Sequence, residues 1–231
     1  MSTRALVLVH DPAEGRRHRI PGALVPALAT RGIGHDVASF VDGADPELGG
    51  HDLVVVMGSQ ESVYDRTVPW IARELAFVTS AVRRGVPVLG VCFGGQLLAR
   101  ALGGTVARAA RPEIGFTEVD SDRPDLVPAG PWMQFHADAF VPPPTATEIA
   151  RNAHSSQAFV AGKVLAVQFH PEITPDAFDS WVERWAADGG ASGNGVRERE
   201  LDALREAVAR NERRSTGLCE RLVGAFCAQH L

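Results

Sequence analysis

Val88-Leu89-Gly90-Val91-Cys92-Phe93-Gly94-Gly95-Gln96 reads as a short apolar strand that enters a G-x-C-x-G turn and then a helix, expected over Gln96 to Leu102. This is the cysteine form of the nucleophile elbow, a sharp strand-to-helix turn that presents one side chain above a sheet. The turn brings neighbouring backbone close, so the positions two before and two after the nucleophile must be small. Gly90 and Gly94 satisfy that demand. The sulfur is also set at a helix N-terminus, whose partial positive charge favours an anion. Cys92 is therefore placed to be a nucleophile.

A second string lies far downstream, Val164-Leu165-Ala166-Val167-Gln168-Phe169-His170-Pro171-Glu172. Here an apolar strand ends in a histidine, a proline and a glutamate. Residues two apart in an extended segment project to the same side, so His170 and Glu172 can reach one site. A histidine beside a thiol takes its proton and later protonates a leaving amine, while a carboxylate fixes the ring's tautomer. The order Cys, His, Glu along the chain is that of hydrolases whose nucleophile tops a sheet.

Outward from these two strings, strands and helices alternate, as a parallel or mixed sheet covered on both faces requires. Ala5 to Val9 is the first strand, followed by a polar loop from His10 to Arg19 and a helix over about Gly22 to Thr30. Val37 to Phe40 is a second strand, and Asp52 to Met57 a buried central one ending at Gly58. Pro69 opens a helix with Ile71, Leu75, Val78 and Val82 at helical spacing, closed by Gly85. Phe116 to Val167 reads as short strands in a meander, and Pro175 to Ala187 as a helix. Residues 189–195 have the composition of a flexible linker. Beyond it, a charged helical segment carries one apolar stripe (Leu201, Leu204, Val208). A second stripe (Leu218, Leu222, Val223, Phe226) follows an expected cap at Ser215. The expected organisation is thus a main domain over 1–188 and a linker with helical segment over 189–231.

Composition narrows the function classes. The 231 residues suit one sizeable α/β domain. A formal net charge of −5, with Lys163 as the sole lysine, argues against a nucleic-acid or anionic-membrane partner. Three cysteines, one in the elbow, fit a reducing cytosol better than a disulfide framework. No apolar run approaches the ~20 residues of a membrane span, and the first strand is too short for a signal-peptide core. No P-loop motif is present, so ATP hydrolysis is not expected. His10, His18, His35, His51, His154 and His230 share no metal-binding spacing, and no metal or other cofactor is expected. Cys219 and Cys227 read as core residues.

G-V-C-F-G-G-Q, followed by F-H-P-E, resembles the class I (triad-type) glutamine amidotransferase domain, in a form similar to the amidotransferase half of GMP synthetase. The resemblance extends from Ala5 to about Trp185. It implies a flavodoxin-like three-layer α/β sandwich and hydrolysis of a γ-glutamyl amide through a thioester. It also implies an oxyanion hole built from the backbone N–H groups of Gly58 and Phe93, although Ser59 stands where a second glycine is common. Gln96 is implied to hold the glutamyl moiety of the substrate. Trp132-Met133-Gln134-Phe135-His136-Ala137-Asp138 resembles the family's W-M-S-H-G-D with one residue inserted, which makes Phe135 and His136 contacts for the glutamyl α-carboxylate and α-amino groups. Glu113, in a neighbouring loop, reads as simply solvated.

Two readings share that chemistry. Glutamine is the substrate and ammonia passes to a separate synthase, or the chain works alone on γ-glutamyl amines. A catalytically dead binding module is a third, which the intact Cys92, His170 and Glu172 argue against. A homodimer is one way to cover the C-terminal stripes.

Overall fold

Ala5, Leu6, Val7 and Leu8 are all buried, a continuous apolar run that only a strand covered on both faces accommodates. They form β1 (Arg4–Leu8) in a computed structural model that describes residues 3–189 and 198–231. A four-residue helix, α1 (Glu14–Arg17), lies within the loop that follows, ahead of α2 (Leu24–Ala29) and β2 (Gly34–Ala38). The central strand β3 (Leu53–Val56) leads to α3 (Pro69–Arg83), and the elbow strand β4 (Val88–Val91) to α4 (Phe93–Ala101). Next come β5 (Thr105–Ser121), β6 (Gly130–Val141), β7 (Thr147–Arg151), β8 (Ser156–Ala161) and β9 (Val164–Val167). Helices α5 (Pro175–Ala187) and α6 (Glu198–His230) complete the described chain.

All nine strands join one sheet in the order β2-β1-β3-β4-β9-β8-β7-β5-β6. The first five are parallel and the rest add antiparallel pairs, so the sheet is mixed. Strand alternation divides the core into two layers. Val7, Val55, Leu89 and Leu165 pack with residues of α2 and α6 on one face. Leu8, Val54, Val56 and Ala166 pack with α3 and α4 on the other. This is the three-layer α/β sandwich expected from the sequence, with the elbow at the carboxyl end of a central strand.

The structure corrects the sequence reading in four places. The second strand spans Gly34–Ala38 rather than Val37 to Phe40, because its pairing with β1 starts at Arg4↔Gly34. The helix after the elbow begins at Phe93, directly behind the cysteine, rather than at Gln96. The expected meander of short strands contains a long ribbon instead, since β5 runs for 17 residues and β6 for 12. Ser215 caps nothing: it is buried inside one continuous 33-residue helix. Packing overrides the polar Arg213-Arg214-Ser215-Thr216 break, because the apolar stripes on both sides of it find partners in this chain. Val208 packs with Phe135, Phe178 and Trp185, while Leu218, Leu222, Val223 and Phe226 join the sheet layer. The Arg31 guanidinium closes over Gly224 and bonds the Glu220 carbonyl at 3.1 Å, tying α2 to α6. The linker expected over 189–195 falls, apart from Gly189, outside the described residues.

Leu222 is fully buried between α6 and the sheet layer. Leu222→Ala is therefore expected to cost about 2–5 kcal/mol of folding stability. Urea denaturation checks this; a loss under about 1 kcal/mol would mean that α6 is not part of the core.

Candidate active site

Cys92 is the one non-glycine residue with positive φ among those described, at φ 52° and ψ −106°. Close packing enforces that conformation. A Cβ on Gly94 would lie 2.1 Å from the Val56 carbonyl oxygen, and one on Gly90 2.5 Å from the Gly94 carbonyl oxygen. One on Gly95 would meet the Val167 carbonyl oxygen at 2.6 Å. The Cys92 amide donates to that same Val167 carbonyl at 2.9 Å, which locks the elbow to the end of β9.

The end of β9 carries the second half of the site. His170 Nδ1 donates to Glu172 Oε1 at 2.7 Å, and both side chains are buried. The His170 amide is held by the Met133 carbonyl at 2.8 Å, and the Trp181 ring packs edge-on against the imidazole at 4.6 Å. Glu172 is fixed through its backbone as well, since its carbonyl accepts from Ala23 N at 2.9 Å. Gly22, at φ +42°, permits this approach: a Cβ there would sit 2.1 Å from the same carbonyl oxygen. Burial alone would push the His170 imidazole down, but its interactions with Glu172 and Cys92 outweigh it and raise its pKa to about 10.

Of the other residues read from the sequence, Gly58 follows β3 and lies against this pair. A Cβ on it would be 3.0 Å from His170 Cε1 and 3.8 Å from Cys92 Cβ. Phe93 is the first residue of α4, and its amide belongs to the first turn, where no intrahelical acceptor exists. Gln96, Phe135 and His136 line the same cavity as Cys92, His170 and Glu172. Gln96 donates to the Asp138 carbonyl at 3.1 Å and to Gln168 Oε1 at 3.4 Å. Phe135 stacks on Trp185 with ring centroids 4.9 Å apart. Burial, which outweighs Glu113 and is reinforced by the charge of His170, lowers the pKa of His136 to about 4. The structure thus gathers all eight residues in one place.

It also shows what the sequence reading passed over. Gln168 Nε2 points to Cys92 Sγ at 3.8 Å, the last link of a chain running from Gln96. Period-two spacing was the available signal, because Gln168, His170 and Glu172 alternate on one side. Glu113 is buried rather than solvated. It accepts from Asn152, from Ser155 Oγ at 2.6 Å and from Gln157, and stands 3.7 Å from His136 Nε2. Its position on a long strand was hidden because that strand was expected to begin at Phe116. His10 and Glu74 are both buried beside Gly58, and Arg184 reaches from α5 toward Glu61 and the His10 carbonyl. Among the described residues, no three or more His, Cys, Asp or Glu side chains are grouped to hold a metal ion. No described helix is long and apolar enough to cross a membrane.

A cysteine held in a strained elbow beside a histidine–carboxylate pair, at the carboxyl ends of parallel strands, can attack a carbonyl and exchange a proton with a leaving group. Residues 23–186 match the family model of the class I glutamine amidotransferases. The chain belongs to that family. Among curated proteins it is similar to the GMP synthase [glutamine-hydrolyzing] of Aeropyrum pernix, 35% identical over 142 residues, which is 56% of this chain and 27% of that protein. It also resembles a GMP synthase [glutamine-hydrolyzing] subunit from Sulfurisphaera tokodaii, 36% identical over 106 residues, covering 42% of this chain and 56% of that one. The match thus spans only about a quarter of the Aeropyrum protein and about half of the Sulfurisphaera one. Among solved structures, a glutamine amidotransferase from Thermotoga maritima superposes with a TM-score of 0.82 at 23% identity, over 98% of both chains. One from Methylobacillus flagellatus gives 0.81 at 24%, over 100% of this chain and 96% of that one. These two likenesses concern the fold.

Since His170 is raised from 6.5 to about 10 on folding, its stabilising contribution is fully present below pH ~6.5 and is lost as pH rises through about 10. Cys92→Ala removes one of the two partners responsible. The His170 imidazolium should then deprotonate at lower pH than in the parent, as followed by NMR titration of the ring nitrogens. An unchanged midpoint would mean that the sulfur does not share charge with this ring.

Proposed function

We propose that this chain hydrolyses a γ-glutamyl amide, with glutamine as substrate, through a glutamyl thioester on Cys92. The observation that supports this most directly is the juxtaposition of the strained Cys92 with the buried His170–Glu172 pair, in a chain of this family. In this mechanism the Cys92 sulfur adds to the amide carbonyl, forming the S–C bond. The resulting oxyanion accepts from the Gly58 and Phe93 amides, donors that gain most when charge develops in a site closed to water. His170 gives its proton to the departing nitrogen as the C–N bond breaks, releasing ammonia. It then takes a proton from water, which attacks the thioester and frees glutamate and the thiolate. Glu172 holds His170 Nδ1 throughout and balances the imidazolium. Gln96, Phe135 and His136 bind the glutamyl portion, and His136, whose proton affinity is lowered, does so as a neutral ring.

The ammonia is proposed to serve a synthase on a separate polypeptide. Similarity to a protein named as one subunit of a GMP synthase supports a partner of that kind. A second reading, direct hydrolysis of γ-glutamyl amines, draws support from the cavity wall of Phe135, Trp181 and Trp185 beside the reacting groups. Such a wall offers apolar surface to a leaving amine larger than ammonia.

Cys92→Ala is expected to remove turnover, and His170→Ala to lower kcat by roughly 10²–10⁴, the usual worth of a positioned acid–base group. Glu172→Gln keeps the shape of the pair and should cost less. Steady-state release of glutamate from glutamine checks the order; a His170→Ala variant with near-parental kcat would remove this histidine from the mechanism.

The two readings part in the isolated chain. On the partner model, kcat/KM for glutamine is low alone and rises when the synthase is added. On the second, some γ-glutamyl amine is hydrolysed with kcat/KM above ~10⁴ M⁻¹s⁻¹ without help. Kinetics over glutamine and a panel of γ-glutamyl amides decides between them.

A further inference from the structure

Behind the Gly58 loop lies a buried charged couple that the proposed chemistry does not use. His10 follows β1, and Glu74 belongs to α3; their side chains are 1% and 0% exposed. The His10 ring has an acceptor at each nitrogen: the Gly58 carbonyl at 2.9 Å from Nδ1, and both Glu74 oxygens at 3.0 and 2.9 Å from Nε2. Only the imidazolium donates at both positions. The Glu74 charge and these hydrogen bonds overcome burial, the largest single effect, and raise the His10 pKa. The ring also belongs to an aromatic cluster with Trp70 and Phe93, whose own centroids are 5.5 Å apart. It stacks on Trp70 at 4.9 Å and packs on Phe93, again at 4.9 Å.

His10 therefore touches both residues whose amides are proposed to hold the oxyanion, gripping Gly58 by its carbonyl and Phe93 by its ring. We propose that the His10–Glu74 couple is a positioning device for the oxyanion hole, fixing the Gly58 backbone relative to the elbow before substrate arrives. The inference rests on the proposed roles of Cys92, Gly58 and Phe93. Gly58 has the torsional freedom of glycine and is followed by a polar loop, Ser59 to Ser62. The Met57 amide, held by the Leu8 carbonyl at 3.0 Å, anchors it on the strand side. The His10 bond supplies the anchor on the loop side. A buried ion pair is seldom a net source of stability compared with apolar residues of similar size. What this pair does provide is a charged donor at one carbonyl oxygen, backed by a carboxylate that keeps it charged.

The test uses the full chain and a probe that reports acylation directly, γ-glutamyl-p-nitroanilide, with protein in excess so that one turnover is followed. An apolar residue at position 10 alone would strand the Glu74 charge and threaten folding, so the informative variant is His10→Phe/Glu74→Leu. It keeps a ring against Trp70 and Phe93, removes the charge pair and loses the bond to Gly58. The inference expects the saturating acylation rate to fall at least ten-fold, with half-saturation within about three-fold of the parent. The rate of Cys92 alkylation by iodoacetamide, a reaction that forms no oxyanion, should stay within about two-fold. Glu74→Gln should recover most of the acylation rate, because a neutral His10 can still donate from Nδ1 to Gly58 while accepting from the Gln amide.

A double variant that acylates at the parental rate overturns the inference. So does one whose acylation and alkylation fall together, since the couple would then act on the thiolate or on the fold at large. A double variant too unstable to purify passes the decision to Glu74→Gln and His10→Gln: alkylation and acylation lost in parallel overturn the inference, and loss of acylation alone in His10→Gln supports it. The underlying mechanism fails separately. If Cys92→Ser releases p-nitroaniline at the parental rate, the thioester proposal falls and this inference with it.

Discussion

The left-handed backbone at Cys92 is the constraint around which the rest of the site is arranged. A non-glycine residue at φ 52° carries a strain on the order of 1–3 kcal/mol and persists only where its surroundings over-determine it. Three glycines, Gly90, Gly94 and Gly95, allow the elbow to sit so close to β3 and β9 that no side chain fits between. The close approach puts α4 directly behind the sulfur, aims its first-turn amides at one spot and joins the cysteine amide to the Val167 carbonyl. Relaxing the turn would require separating β4 from its neighbours, which are held by the parallel ladders on both sides.

Three histidine–glutamate couples surround the resulting cavity, and their electrostatics differ for reasons visible in the packing. His170 and Glu172 bond at 2.7 Å, with the Cys92 sulfur adding to the effect, so the imidazolium is favoured. His10 meets both oxygens of Glu74 and a carbonyl, with the same consequence. His136 stands 3.7 Å from Glu113, whose oxygens are already occupied by Asn152, Ser155 and Gln157, and it also feels the charge on His170. Burial then prevails and the ring stays neutral. Similar residue pairs thus hold a proton in two cases and release it in the third.

The parts of this arrangement that were legible in the sequence are those written in contiguous residues. The elbow depends on glycines two positions either side of a cysteine, and the histidine–glutamate pair on an alternation that survives in any extended segment. The inner parallel strands β3, β4 and β9 announce themselves as short, wholly apolar runs because both faces are covered. What was hidden depends on partners distant along the chain. His10 and Glu74 are 64 residues apart, and neither position is unusual until the sheet brings β1 and α3 together. Glu113 reads as solvated because its strand is largely exposed, and its carboxylate is buried by the pairing with β6 together with Asn152, Ser155 and Gln157. The break expected at Ser215 was a local propensity signal, and long-range packing of the two flanking stripes outweighed it.

Rigid and variable parts of the cavity come from different places. The groups proposed for bond making and breaking stand at the carboxyl ends of β3, β4 and β9, the edge of a parallel sheet at which ligands bind. The groups that would meet the remainder of a substrate come from the antiparallel ribbon and from α5: Phe135 and His136 on β6, and Trp181, Arg184 and Trp185 on the helix. These aromatic rings pack on one another and on Phe178, with the Val208 region of α6 behind them. Because α6 buttresses α5 and α5 carries this wall, the position of the wall is coupled to the C-terminal helix. A change in how α6 seats would be felt at this wall, through Val208, and also in the layer that holds Leu89, Val91 and Cys92, through Leu218, Leu222 and Phe226.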